Sequence, residues 1–128
     1  MQTQKQTIGA WGEKLAASFL VQKKYEIIAQ NFRTKKGEVD IIAWHNKEHH
    51  GKTLCFIEVK TRGSQGESGA RATAQQAKLV AMQQGALLFC IQHGIAVDTT
   101  PIQFEYVGVL YSKENKTVEF QHLVIPID

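Results

Sequence analysis

Residues 38–62 read EVDIIAWHNKEHHGKTLCFIEVKTR, and the patterning of this stretch decides the fold. Residues 38–45 and 53–62 have the β-branched and aromatic content of strands, and the polar run from His45 to Lys52 reads as the loop between them. Alternate residues along a strand share a face. In the second strand, Leu54, Phe56, Glu58 and Lys60 therefore lie opposite Cys55, Ile57 and Val59. In the first, Asp40, Ile42 and Trp44 lie opposite Val39, Ile41 and Ala43. Antiparallel pairing about His49 sets Ile42 against Phe56 and Trp44 against Leu54, so apolar residues meet apolar residues. The same register sets Asp40 against Glu58 and Glu38 against Lys60. Two carboxylates and a lysine then gather at one end of an apolar hairpin.

On the N-terminal side, Ile8, Trp11, Leu15 and Phe19 recur at helical spacing and predict a helix over 8–24, with Thr7 as its N-cap. Residues 25–33 predict a short strand. Residues 71–93 predict a second long helix, with an apolar stripe of Leu79, Val80, Gln83, Leu87, Cys90 and Ile91. Gly85 is a weak point within it and Gly94 is its stop. Strands over 102–111 and 117–125 close the chain as a hairpin, and the glycine-rich stretch 62–69 reads as a loop. The order α-β-β-β-α-β-β predicts an α/β fold with one central mixed β-sheet flanked by helices.

The chain has 128 residues, 43% hydrophobic and 21% charged, as expected of one globular domain spanning 1–128. The net charge of +3 is unevenly spread. Residues 1–78 hold 13 Lys/Arg against 7 Asp/Glu, a balance of +6, while residues 79–128 hold 2 against 5. A polyanion such as DNA is a natural partner for the basic half, and a solvated surface is the plainer alternative. Cys55 and Cys90 sit inside apolar runs, and the first residues have no apolar secretory core. Both features lead us to expect reduced, buried thiols and a cytoplasmic protein. No apolar stretch approaches the roughly 20 residues of a membrane span, so no membrane partner is expected.

Two opposed carboxylates repel, at up to about 1 kcal/mol for a cross-strand pair. A bound divalent cation removes that repulsion, and hard oxygen ligands suit Mg²⁺ or Mn²⁺. Lys60, about 7 Å along the strand from Glu58, is within reach of a phosphate or water on such a metal. A salt-bridged hairpin end, with Lys60 neutralising Glu58, explains the same spacing without function. Glu13 joins the candidates because it lies among Gly9, Ala16, Ala17 and Leu20, small or apolar residues that allow another segment to approach closely.

Gly12-Glu13 on the first helix, Gly37-Glu38-Val39-Asp40 opening one strand and Phe56-Ile57-Glu58-Val59-Lys60-Thr61-Arg62 on the next together resemble the YraN-like family of small bacterial proteins. That family resembles a branch of the PD-(D/E)xK, restriction-endonuclease-like superfamily and is similar to archaeal Holliday-junction resolvases. The resemblance runs from about residue 8 to the end of the chain. It implies a restriction-endonuclease-like fold and a metal-dependent endonuclease acting on DNA, including branched or recombination-intermediate DNA. It implies that Asp40, Glu58 and Glu13 hold Mg²⁺ or Mn²⁺ and that Lys60 positions or activates the attacking water. It also implies a symmetric homodimer. Arg33, Lys35, Lys36, Arg62, Arg71, Gln76 and Lys78 are the residues expected to meet DNA. Val39 replaces the motif's proline, and Gln75 stands where relatives often carry a lysine.

Other readings of the chain are a nucleic-acid-binding module that keeps the outline of the site without catalysis, and an interaction subunit using the acidic C-terminal half. His45, His49 and His50 read as a solvated loop in preference to a zinc site. His93 and His122 read as isolated. Trp11 and Trp44, both in apolar stripes, read as core. The sequence has no GxSxG, P-loop or GxGxxG pattern to support acyl transfer or a nucleotide fold.

Overall fold

A computed structural model describes residues 3–63 and 71–127, with the side chains of all of them except Lys5 and 71–77. The elements are α1 (Gln4–Gln22), β1 (Glu26–Arg33), β2 (Glu38–Lys47), β3 (Gly51–Gly63), α2 (Arg71–Gln92), β4 (Ile102–Ser112) and β5 (Thr117–Ile125). The fold is therefore α/β in the expected order. The sheet runs β1-β2-β3-β4-β5, antiparallel except for the parallel β3–β4 pair that α2 connects. α1 packs on one face and α2 on the other. Among the described residues no helix is long and apolar enough to cross a membrane.

The β2–β3 register matches the sequence expectation, with Ile42 paired to Phe56 and Trp44 to Leu54. The strands run further than expected, to Lys47 and from Gly51, so the turn is short. Gly51 takes a positive φ of 70° there, a conformation that suits glycine. Cys55 and Cys90 are buried free thiols. Arg62 and Gly63 belong to β3, and the rest of the expected 62–69 loop lies outside the described residues.

Both helices sit differently from their apolar patterns. α1 begins four residues early because Thr3 and Gln6 form a reciprocal capping box, and Thr7 lies inside the helix. Its buried face is Gly12, Ala16 and Leu20, one residue round from the expected stripe, and Trp11 is 41% exposed. Small residues win this contact because they let the helix lie close on the sheet. A Cβ on Gly12 would fall 1.7 Å from Thr61 Oγ1. α2 buries Met82, Ala86, Phe89 and Cys90, while Val80, Leu87 and Ile91 of the expected stripe stay exposed. Gly85 is a contact point and not a weakness, because a Cβ there would come within 3.0 Å of the Glu38 backbone nitrogen. Gly37 meets the same turn of α2, where a Cβ would fall 2.3 Å from the Ala81 carbonyl oxygen. Gly94, with φ 64°, follows the helix as expected.

Candidate functional site

Three local features bring the acidic residues together. First, the close Gly12–Thr61 contact presses α1 onto β3 and sets Glu13, the next residue, above the sheet. Second, alternation breaks in β2. Val39 and Ile42 both pack in the α2-side cluster, although strict alternation would put them on opposite faces. Opposite this break, Asn31 adopts a positive φ of 55°, which asparagine tolerates better than most residues. Third, the β2–β3 pairing ends at Ile41–Ile57. Asp40 is therefore not paired with Glu58 as expected. Its Oδ2 instead accepts the Val59 backbone N–H at 2.8 Å, bridging the parted strands.

Asp40 is 6% exposed and its Oδ1 accepts from Arg33 Nη2 at 3.0 Å. Arg33 also lies 3.6 Å from Glu38 and donates to the Val39 carbonyl at 3.2 Å. Lys78 pairs with Glu38 and lies 3.8 Å from Glu58. Glu38 and Lys60 thus do not form the expected pair. Among the described residues Lys60 has no ion-pair partner, so the explanation by a Lys60–Glu58 salt bridge fails. The cation beside Glu58 is Lys78, contributed by α2.

Glu13, Arg33, Asp40, Glu58, Lys60 and Lys78 all line one open cleft of about 1010 Å³, together with Asn31, Thr61 and Tyr111. Burial raises the Glu58 carboxyl to about 7, with Asp40 adding to the rise and Lys78 opposing it. Burial and then Asp40 also raise Glu13, against the pull of Arg33. Glu38 moves the other way because Lys78 hydrogen-bonds its charged form. The donor set is all hard oxygen, as Mg²⁺ or Mn²⁺ requires. Among the described residues, no three Asp, Glu, His or Cys side chains already stand together as a ligand set.

The expected DNA-facing residues divide. Arg33 and Lys78 face carboxylates inside the cleft. Lys35 and Lys36 are exposed between β1 and β2. Arg62 lies outside the cleft lining and donates to the Tyr106 hydroxyl at 3.0 Å. The side chains of Arg71 and Gln76, and that of Gln75, lie outside the described residues. Asn31 escaped the sequence reading. With its amide nitrogen toward Glu13, it donates to both carboxylate oxygens at 3.1 and 3.2 Å.

A second ionic cluster was also invisible to spacing. Glu105, fully buried on β4, takes a hydrogen bond from Tyr25 at 2.7 Å and lies 2.8 Å from Lys47 Nζ and 2.7 Å from His122 Nε2. His122 is therefore not isolated. His45 is not in a loop either: it lies on β2, stacks on Tyr25 at 3.8 Å and contacts the Lys23 carbonyl. His49 and His50 are exposed in the turn. His93 stacks on Phe89 at 4.0 Å.

Fold and site define a small α/β protein with a five-stranded mixed sheet between two helices and a cleft of carboxylates and lysines. The chain belongs to the uncharacterised protein family UPF0102, whose model matches residues 12–109 and so spans Glu13, Asp40, Glu58 and Lys60. This is the YraN-like family that the motifs resembled. The chain is 36% identical to a UPF0102 protein of Desulforapulum autotrophicum, over 90% of this chain and 88% of the relative. It is 29% identical to a UPF0102 protein of Roseiflexus castenholzii, over 94% and 93%. A third relative, from Geotalea uraniireducens, is 32% identical over 91% and 86%.

Proposed function

We propose that this protein is a metal-dependent endonuclease of the PD-(D/E)xK kind that hydrolyses DNA phosphodiester bonds, with branched or recombination-intermediate DNA as its substrate class. The observation that carries this reading is the shared cleft. Glu13 from α1, Asp40 from β2, and Glu58 and Lys60 from β3 reach it from three elements. Asp40, Glu58 and Glu13 would hold Mg²⁺ or Mn²⁺. When bound, the ion would supply Lewis acidity at the phosphate and a water of lowered pKa. Glu58, raised to about 7, would give up its proton on taking part in such a site. Lys60, with no ion-pair partner among the described residues, is available to stabilise the charge that develops on the phosphate oxygens. Arg33, Lys35, Lys36 and the other basic residues would steer and hold the backbone. A symmetric homodimer would suit a two-fold branched substrate.

A specific observation favours a second reading, a nucleic-acid-binding module without catalysis. Arg33 and Lys78 already pair with Asp40, Glu38 and Glu58, which compensates much of the acidic charge. The deciding experiment is cleavage of linear, flapped and four-way DNA with Mg²⁺ or Mn²⁺, run beside Mn²⁺ calorimetry. The endonuclease reading expects metal-dependent cleavage, and a binding isotherm that Asp40→Asn abolishes. Salt-sensitive DNA binding without cleavage of any substrate would leave the binding module standing.

A further inference from the structure

α1 is seated on the sheet by Gly12, Ala16 and Leu20, and Trp11 lies outside that buried face. Yet Trp11 is a large aromatic left 41% exposed. It meets Tyr111 edge to face, with ring centroids 5.8 Å apart and planes at 85°. In that arrangement neither ring covers both faces of the other. Tyr111 lines the cleft that holds Asp40, Glu58 and Lys60, and so does Ile8, one turn before Trp11. Open aromatic surface thus continues directly into a cleft whose cations suit phosphate.

We propose that Trp11 and Tyr111 form a stacking platform for an unpaired nucleobase, so that the DNA this cleft takes carries unstacked nucleotides beside the phosphate it engages. The inference rests on the nucleic-acid reading above and narrows it. Bases within a duplex are stacked on one another and cannot lie on a side chain, whereas flipped-out or single-stranded bases expose a π-face. Lys60 and Arg33 in the same cleft would meet the adjoining backbone. Blunt duplex would engage those cations and the outer lysines but leave the rings uncovered.

The chain has two tryptophans, so Trp44→Phe makes Trp11 the sole indole reporter. This variant is titrated, in chelator and without divalent metal, with a thymine-only single strand and with a blunt duplex of equal length. The single strand should quench Trp11 fluorescence and the duplex should not. In the otherwise unaltered chain, Trp11→Ala should weaken single-strand binding by about 5- to 150-fold, the worth of one stacked base. Duplex affinity should stay unchanged, and Trp11→Phe should restore most of the loss. Equal quenching by both DNAs, or equal weakening of both by Trp11→Ala, overturns the platform, as does a Trp11→Ala variant that binds single strands normally. Trp11-dependent binding with no cleavage under any metal would sink the nuclease and keep the platform. Cleavage that is indifferent to Trp11 would do the reverse, and no DNA binding at low salt would end both.

Discussion

Glu58 and Glu105 stand on adjacent parallel strands, both withdrawn from water, and titrate at opposite ends of the carboxylate range. Burial raises Glu105 as it does any carboxylate, but contacts from His122, Lys47 and Tyr25 outweigh it and hold the group at about 2. Glu58 has Lys78 at 3.8 Å, beyond hydrogen-bond range, so burial wins and the group rests at about 7. The same side chain in two settings separates two jobs. A buried acid held by a lysine, a histidine and a tyrosine ties strands together. One left short of partners can still exchange a proton or accept a cation. The Glu105 cluster ties β2, β4 and β5 to Tyr25, the residue before β1, and the Glu58 cleft is lined from β1, β2, β3, β4 and the two helices.

The largest test of this contrast is on stability. Glu105→Gln strips the charge from a fully buried carboxylate and leaves Lys47 without its counter-ion, so we expect a loss of about 3–5 kcal/mol at pH 7. Glu58→Gln should be neutral or stabilising at pH 8, because it removes a buried, poorly compensated charge. Urea denaturation midpoints measure both. Equal losses would erase the distinction between the two sites.

Next in size is catalysis. Lys60→Ala should lower the DNA cleavage rate by about 10²–10³, as expected for loss of one donor to a developing oxyanion. Metal affinity should hold, and DNA affinity should fall only by the share of one phosphate contact. Undiminished cleavage by Lys60→Ala would move the active centre elsewhere.

The two acids act on the pH dependence of stability with opposite sign. Glu58, raised from 4.5 to about 7, binds its proton more tightly in the folded state. Its contribution is complete below pH 4.5 and is lost as pH rises through about 7. Glu105, lowered from 4.5 to about 2, contributes fully above pH 4.5 and loses that as pH falls toward 2. Glu58→Gln should flatten only the neutral limb of the stability profile, and Glu105→Gln only the acid limb. Thermal unfolding across pH 2–8 reads both limbs. Identical profiles for the two variants would show that neither shift exists.

Smallest is a test of how the cleft is positioned. Gly12→Ala adds a methyl that would fall 1.7 Å from Thr61 Oγ1, so α1 must shift. Overpacking of this kind costs about 1–3 kcal/mol. Glu13 moves with the helix, so cleavage should fall even where the protein stays folded. Thr61→Ala in the same chain removes the Oγ1 and Cγ2 contacts but keeps the Cβ at 2.7 Å, so it should recover stability and activity together, in part. Rescue of stability alone would detach Glu13 from the site.

The order of elements, the β2–β3 register from Ile41 to Lys47 and the residue types at the cleft were all written in the chain itself. Strand alternation and hairpin symmetry are local rules, and from Ile41 to Lys47 nothing competes with them. The motif around Asp40, Glu58 and Lys60 was legible as residue types, but hairpin symmetry failed there because the strands part beyond Ile41. The folded state chose which helix faces are buried, because the close approaches at Gly12 and Gly85 set how each helix meets the sheet. It decided where Asp40 points, since the break in alternation answers to Asn31 on another strand. It alone paired Lys78 with Glu38 and assembled Tyr25, just before β1, with Lys47, Glu105 and His122 from three strands. Charges buried far apart in the chain find partners only when the sheet brings them within a few ångströms, and no sequence spacing encodes that distance.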